Sequence, residues 1–181
     1  AGTLTNGSTN ANGVLIEAGE SLSATNIINA LGASMVNGGL LSSGSAIQNS
    51  GNLTNSGSVF GGLVVNAGQV SNLAGGSING GTTINGGAVT SVGMLLGSVT
   101  LGGGSLTVAG AGNSVLDDAG LLTVDGGTLF VQNSEAIGNL SGVGGQINIA
   151  GGQTLAVNQT TSQSYGGTFA NSGALSLGGA G

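Results

Sequence analysis

Across 181 residues there is no lysine, arginine, histidine, cysteine, proline or tryptophan, and each absence removes a class of function. Without lysine or arginine the chain cannot neutralise phosphates, so nucleic acid is not an expected partner. It also lacks the basic attraction that holds proteins to anionic membranes. No salt bridge can form between side chains. Without histidine or cysteine, Ser/His/Asp and Cys/His nucleophile systems are excluded, as are disulfides and thiolate metal sites. With 41 glycines, no period of three and no proline, collagen is excluded. No apolar run reaches the roughly 20 residues of a membrane-spanning helix, so membrane insertion is not expected. No basic stretch followed by an apolar one opens the chain. An exported protein of this sequence is therefore expected to be the mature part, or a piece of it.

What remains is aliphatic, small and nearly uncharged. Hydrophobic residues make up 39%, charged residues 3% and aromatics 2%, and mean hydropathy is +0.39. Disordered chains show low hydrophobicity and high charge, so a folded chain with a narrow core of Val, Leu, Ile and Ala is expected. The net charge of -6 comes from Glu17, Glu20, Asp117, Asp118, Asp125 and Glu135 alone.

One phrase recurs: Asn, a small residue, Gly, then an aliphatic one or two steps on. It reads Asn37-Gly38-Gly39-Leu40, Asn49-Ser50-Gly51-Asn52-Leu53, Asn55-Ser56-Gly57-Ser58-Val59 and Asn66-Ala67-Gly68-Gln69-Val70. It returns as Asn85-Gly86-Gly87-Ala88-Val89, Asp125-Gly126-Gly127-Thr128-Leu129 and Asn171-Ser172-Gly173-Ala174-Leu175. Short alternations such as Leu106-Thr107-Val108, Leu122-Thr123-Val124 and Ile147-Asn148-Ile149 place two aliphatics on one face of a strand. Gly, Asn and Ser bracket them as turn residues do. Helix is disfavoured because glycine costs about 1 kcal/mol per helix position. The glycine-free window Glu20–Leu31 admits one, but its Ser, Thr and Asn compete with helix hydrogen bonds.

Ile47, Leu53, Val59 and Val65 lie six apart, as do Ile78 and Ile84. Three such steps close one triangular coil of about 18–20 residues, a solenoid period. The expected fold is all-β: a parallel β-helix (β-solenoid) in which residues 1–181 form one rod. About nine coils at the strand spacing of ~4.8 Å give a rod of roughly 45 Å. Stacking places each side chain over its counterpart, with aliphatics inside and Asn ladders at corners. Gly and Asn supply positive φ there, and few charges are tolerated because like charges would repel between rungs.

Chemistry-bearing residues are scarce. Asp117, Asp118 and Asp125 form an acidic cluster, but the stretch Gly110–Asp118 lacks the Gly-Gly-x-Gly-x-Asp phrase of calcium-binding β-rolls. A Ca²⁺ site also needs six to eight oxygens. The cluster reads as solvated corner residues, and Glu17 and Glu20 as surface positions. Glycosidase chemistry needs two carboxylates flanking a bond, which Asp118 with Asp125 could in principle supply. The glycine runs lack the helix and lysine of phosphate loops. The glycosylation patterns at Asn6, Asn52, Asn139 and Asn158 are those a chain rich in Asn, Ser and Thr produces by chance. No catalytic residue, cofactor site or metal site is expected, nor an enzyme.

Gly80-Gly81-Thr82-Thr83-Ile84-Asn85-Gly86-Gly87 and Tyr165-Gly166-Gly167-Thr168-Phe169-Ala170-Asn171-Ser172-Gly173-Ala174-Leu175-Ser176-Leu177-Gly178 resemble the repeats of bacterial autotransporter passenger domains and haemagglutinin-like adhesins. The resemblance implies a right-handed parallel β-helix on a bacterial cell surface or outside the cell, acting in adhesion, autoaggregation or biofilm formation. A rod's end rungs expose unpaired backbone groups, and no capping helix is read at either end of the chain. Self-association through terminal rungs into filaments is therefore expected, or continuation of a longer rod, with glycans or cell surfaces as outer partners. The alternatives are a functional amyloid-like matrix protein and a polysaccharide-binding or cleaving β-helix.

Overall fold

The computed structural model describes residues 2–10, 13–112, 115–170 and 172–179. The chain is a parallel β-solenoid of about nine coils. Every strand pairing among the described residues is parallel, and none of these residues is helical. The window Glu20–Leu31 is accordingly two strands, Ser21–Ala24 and Asn26–Asn29. Ladder pairing and core burial override the weak helical preference there.

Each coil crosses three faces. Sheet 1 stacks Thr3–Asn6, Asn26–Asn29, Ile47–Asn49, Leu63–Val65, Thr82–Ile84, Val99–Leu101, Leu121–Val124 and Asn139–Ser141. Sheet 2 stacks Val14–Ile16, Ser34–Asn37, Asn52–Asn55, Gln69–Asn72, Ala88–Ser91, Ser105–Val108, Thr128–Val131, Gln146–Ile149 and Thr168–Phe169. The third face is divided. Sheet 3 holds Ser21–Ala24, Leu40–Ser43, Ser58–Phe60, Ser77–Asn79 and Met94–Leu96. Sheet 4 holds Glu135–Ile137, Thr154–Gln159 and Ala174–Gly179. Between them stands a single bridge, Leu95 to Leu116.

The six-residue step is real. Ile47, Leu53, Val59 and Val65 sit on sheets 1, 2, 3 and 1 in turn, and all four are fully buried or nearly so. The coil is less uniform than the step. Ile47 stacks on Leu63, not on Val65, whereas Leu106 stacks on Leu129 across a longer coil. Aliphatics fill the interior in columns, such as Met35, Leu53, Val70, Val89, Leu106, Leu129 and Ile147 on sheet 2. One member of the sheet 1 column is polar: Thr82, between Leu63 and Val99, is buried and its Oγ1 has no hydrogen-bond partner.

Asparagine ladders form both at a corner and inside the rod. At the exposed corner after sheet 1, Asn85 Nδ2 donates to Asn66 Oδ1 (3.0 Å) and Asn66 Nδ2 to Gln48 Oε1 (3.1 Å); the longer ladders are interior. On sheet 1, Asn6 Nδ2 donates to Asn29 Oδ1 (2.8 Å), and Asn29 Nδ2 to Asn49 Oδ1 (2.7 Å). On sheet 2, Asn37 Nδ2 donates to Asn55 Oδ1 (2.7 Å), Asn55 Nδ2 to Asn72 Oδ1 (2.8 Å) and Asn72 Nδ2 to Ser91 Oγ (2.9 Å). The members of these interior ladders are all buried. Their side chains also close the corners that follow, as Asn49 Nδ2 does on Gly51 O (3.0 Å) and Ser91 Oγ on Gly93 O (2.8 Å).

Further along, aliphatics replace the ladder. Val65, Ile84, Leu101 and Val124 take the Asn49 position on sheet 1, and Val108, Val131 and Ile149 continue the Ser91 column on sheet 2. With no side chain to close the sheet 1–sheet 2 corner, glycine does it. Gly68, Gly87, Gly104, Gly127 and Gly145 all adopt left-handed φ, from +64° at Gly104 to +73° at Gly145. A Cβ at Gly104 would also run into the carbonyl of Gly87 in the previous coil.

Candidate functional site

Four of the six acids are exposed corner residues. Glu17, Glu20, Asp118 and Asp125 lie at the surface and Asp117 is half-buried. Asp117 is held by backbone, its Oδ2 accepting from Gly97 N (3.0 Å) and its Oδ1 from Ala119 N (3.0 Å). Asp125 Oδ1 accepts from Val143 N (3.2 Å). Asp117 and Asp125 are thus tied to backbone N–H groups. Among the described residues, no group of three or more His, Cys, Asp or Glu could hold a metal ion. Asn113 and Ser114 of the stretch Gly110–Asp118, and Asn171 of the recurring phrase, lie outside the described residues.

The sixth acid is different. Glu135 opens the strand Glu135–Ile137 and is 1% exposed. Its side chain points inward, as that of Ile137 does two residues on. Its Oε2 accepts from Val115 N (3.2 Å), and its Oε1 is buried with no partner. Burial lifts this carboxyl to about 7. Backbone N–H groups of Val115, Leu116 and Ala136 pull the other way, and the negative charge of Asp118 adds to the rise. The acidic cluster at Asp117 and Asp118 gives no hint of this residue. The signal lies in the alternation: whatever places Ile137 inward places Glu135 inward too.

Two surface features remain. Along the outer side of sheet 1 runs a row of half-buried hydroxyls, Thr83, Thr100, Thr123 and Ser141. Thr123 Oγ1 and Ser141 Oγ lie 3.2 Å apart. A shallow uncharged groove of about 410 Å³ lies at one end of the row, lined by Thr83 and Thr100 with Ala46, Val64, Gly81 and Ser98. At the far end, a hollow of about 470 Å³ opens in the last coil. Its wall is mixed: Leu140, Val157, Tyr165, Phe169, Leu175 and Leu177 line it together with Gln159 and Gln163. Tyr165 and Phe169 meet edge to face at 5.2 Å. The Tyr165 hydroxyl donates to Gly145 O (3.1 Å), and partial burial raises its pKa. Leu177 is 73% exposed.

No known protein family matches the chain, and no curated protein or solved structure matches it.

Proposed function

We propose that this chain is an extracellular structural or adhesive β-solenoid of a bacterial surface or biofilm matrix, assembling end to end into filaments. The observation that carries the reading is the last described coil. Its outer strand, Ala174–Gly179, has a sheet partner on one side only among the described residues, and the hollow beside it, with Leu175 and Leu177 in its wall, is open. The first coil supplies a matching surface, since Leu4, Val14 and Leu22 face inward and are partly buried. An unpaired strand edge invites another strand, and a head-to-tail contact need not close, so it propagates. In a longer rod the same surfaces would carry further coils. The hydroxyl row on sheet 1 is the surface this reading offers to glycans or cell surfaces.

The test is electron microscopy with sedimentation velocity on the 181-residue chain and on Leu177→Glu. The wild type is expected to form thin unbranched filaments as its concentration rises. The variant, with a carboxylate on the exposed edge, is expected to stay short while keeping the β circular dichroism of the wild type. Monomers alone at high concentration, or filaments indifferent to Leu177→Glu, would overturn the reading. A chain that shows coil when dilute and β-structure only after aggregation would favour the amyloid-like alternative.

A further inference from the structure

We propose that Glu135 makes the junction between the sixth and seventh coils a pH-responsive joint, packed when its carboxyl is protonated and loosened when it is ionised. On sheets 1 and 2 the ladder runs across this junction without interruption, from Val99–Leu101 to Leu121–Val124 and from Ser105–Val108 to Thr128–Val131. On the third face no strand pairing joins the Leu116 bridge to Glu135–Ile137. A bond from the Val115 N–H to Glu135 Oε2 stands there instead. Among the described residues, the buried carboxyl thus stands where the pairing of the third face is interrupted.

Backbone N–H groups of Val115, Leu116 and Ala136 favour the charged carboxylate, but burial outweighs them, and no counter-charge is at hand. The chain has no lysine, arginine or histidine to pair with it, and Oε1 has no partner. The charged group near it is another acid, Asp118. The neighbouring strands Met94–Leu96, Leu121–Val124 and Thr154–Gln159 contribute no titratable group. A buried ion without a counter-charge is strongly disfavoured. Ionisation therefore drives the carboxylate towards water, and Val115, whose N–H is bonded to it, and the neighbouring Leu116 lose that support beside Leu95. The joint is tight in mild acid and loose in mild alkali, while coils held by uninterrupted ladders are unaffected.

Amide hydrogen exchange on the intact chain tests this. Between pH 5.5 and 8.5, after correction for the intrinsic rate, protection of the Val115 and Leu116 amides is expected to fall by about tenfold or more. Protection in the strands Asn52–Asn55 and Gln69–Asn72 should stay constant. Glu135→Gln keeps the shape without the charge and should remove the pH dependence. Constant protection in the wild type, or the same fall in Glu135→Gln, would overturn the proposal. If that variant does not fold, the wild type still decides. The carbon-13 carboxyl signal of Glu135 can be followed against pH. Its midpoint should lie well above the ordinary glutamate range, and a midpoint within that range would refute the joint.

Discussion

The early and later coils turn the same corner, from sheet 1 to sheet 2, by different chemistry. In the third coil a buried asparagine ends the strand, and its amide closes the turn on Gly51 O. The run from Asn49 to Leu53, both inward, is short, and Gly51 needs no left-handed backbone. In the fourth to seventh coils a buried aliphatic ends the strand, one more residue enters the corner, and a glycine with φ near +70° makes the turn. The first solution puts polar atoms in the core and satisfies them by stacking. The second keeps the core apolar and transfers the requirement to the backbone. Polar side chain and backbone freedom are thus interchangeable means of closing a rung, and each makes a different residue indispensable.

The comparison is sharpest at Gly104. Gly104→Ala forces a left-handed conformation on a residue with a Cβ and drives that Cβ into the Gly87 carbonyl. A loss of roughly 3–5 kcal/mol is expected in chemical denaturation. Gly152→Ala is the control. It shares the left-handed φ, at +76°, but has nothing within 4 Å of the new Cβ, so about 1 kcal/mol is expected. Equal losses at the two sites would show that inter-coil contact adds nothing to the glycine requirement.

In the asparagine coils the indispensable group is the ladder amide. Asn55→Leu leaves Asn37 Nδ2 without its side-chain acceptor and Asn72 Oδ1 without its donor. A loss of roughly 2–4 kcal/mol is expected, because buried polar groups lose their partners while water cannot reach them. A loss below about 0.5 kcal/mol would mean that the ladder is ornament.

The smallest effect has the opposite sign. Thr82 lies in the glycine-cornered half, where no ladder satisfies its buried hydroxyl. Thr82→Val removes the unpartnered oxygen at nearly constant volume and is expected to stabilise by about 1 kcal/mol. Destabilisation would place a water or an alternative rotamer at that hydroxyl.

The sequence shows the coil more clearly than it shows which way each side chain points. Aliphatic pairs two apart, bracketed by glycine, identify the strands, and the six-residue step from Ile47 to Val65 identifies the faces. The Asn-small-Gly phrase is ambiguous by one residue. Asn49 and Asn55 are the last inward residues of their strands and are buried, whereas Asn66 and Asn85 follow an inward Val65 and Ile84 and are exposed. Because strand period is two, that single step reverses the side chain. The same ambiguity makes Leu40 outward and Leu41 the core residue of the phrase that begins at Asn37. Ladders were readable as a tendency of asparagine, and Asn66 and Asn85 form one at an exposed corner; the interior placement of the others follows from which residue ends each strand. Glu135 shows the limit most plainly. Composition suggests that a charge belongs outside, while a two-residue spacing to Ile137 puts it inside, and spacing prevails.

The varying length of the coils has a consequence for how such a rod changes over generations. Each coil touches chiefly the one before and the one after, and an added residue is absorbed at a corner without disturbing the register of the next strand. A duplication or deletion of one whole coil would therefore alter the reach of the molecule by about 4.8 Å and leave its two ends and its flanks as they were. Reach is in that sense an independently heritable property, adjustable in fixed increments by the commonest errors of copying a repetitive gene.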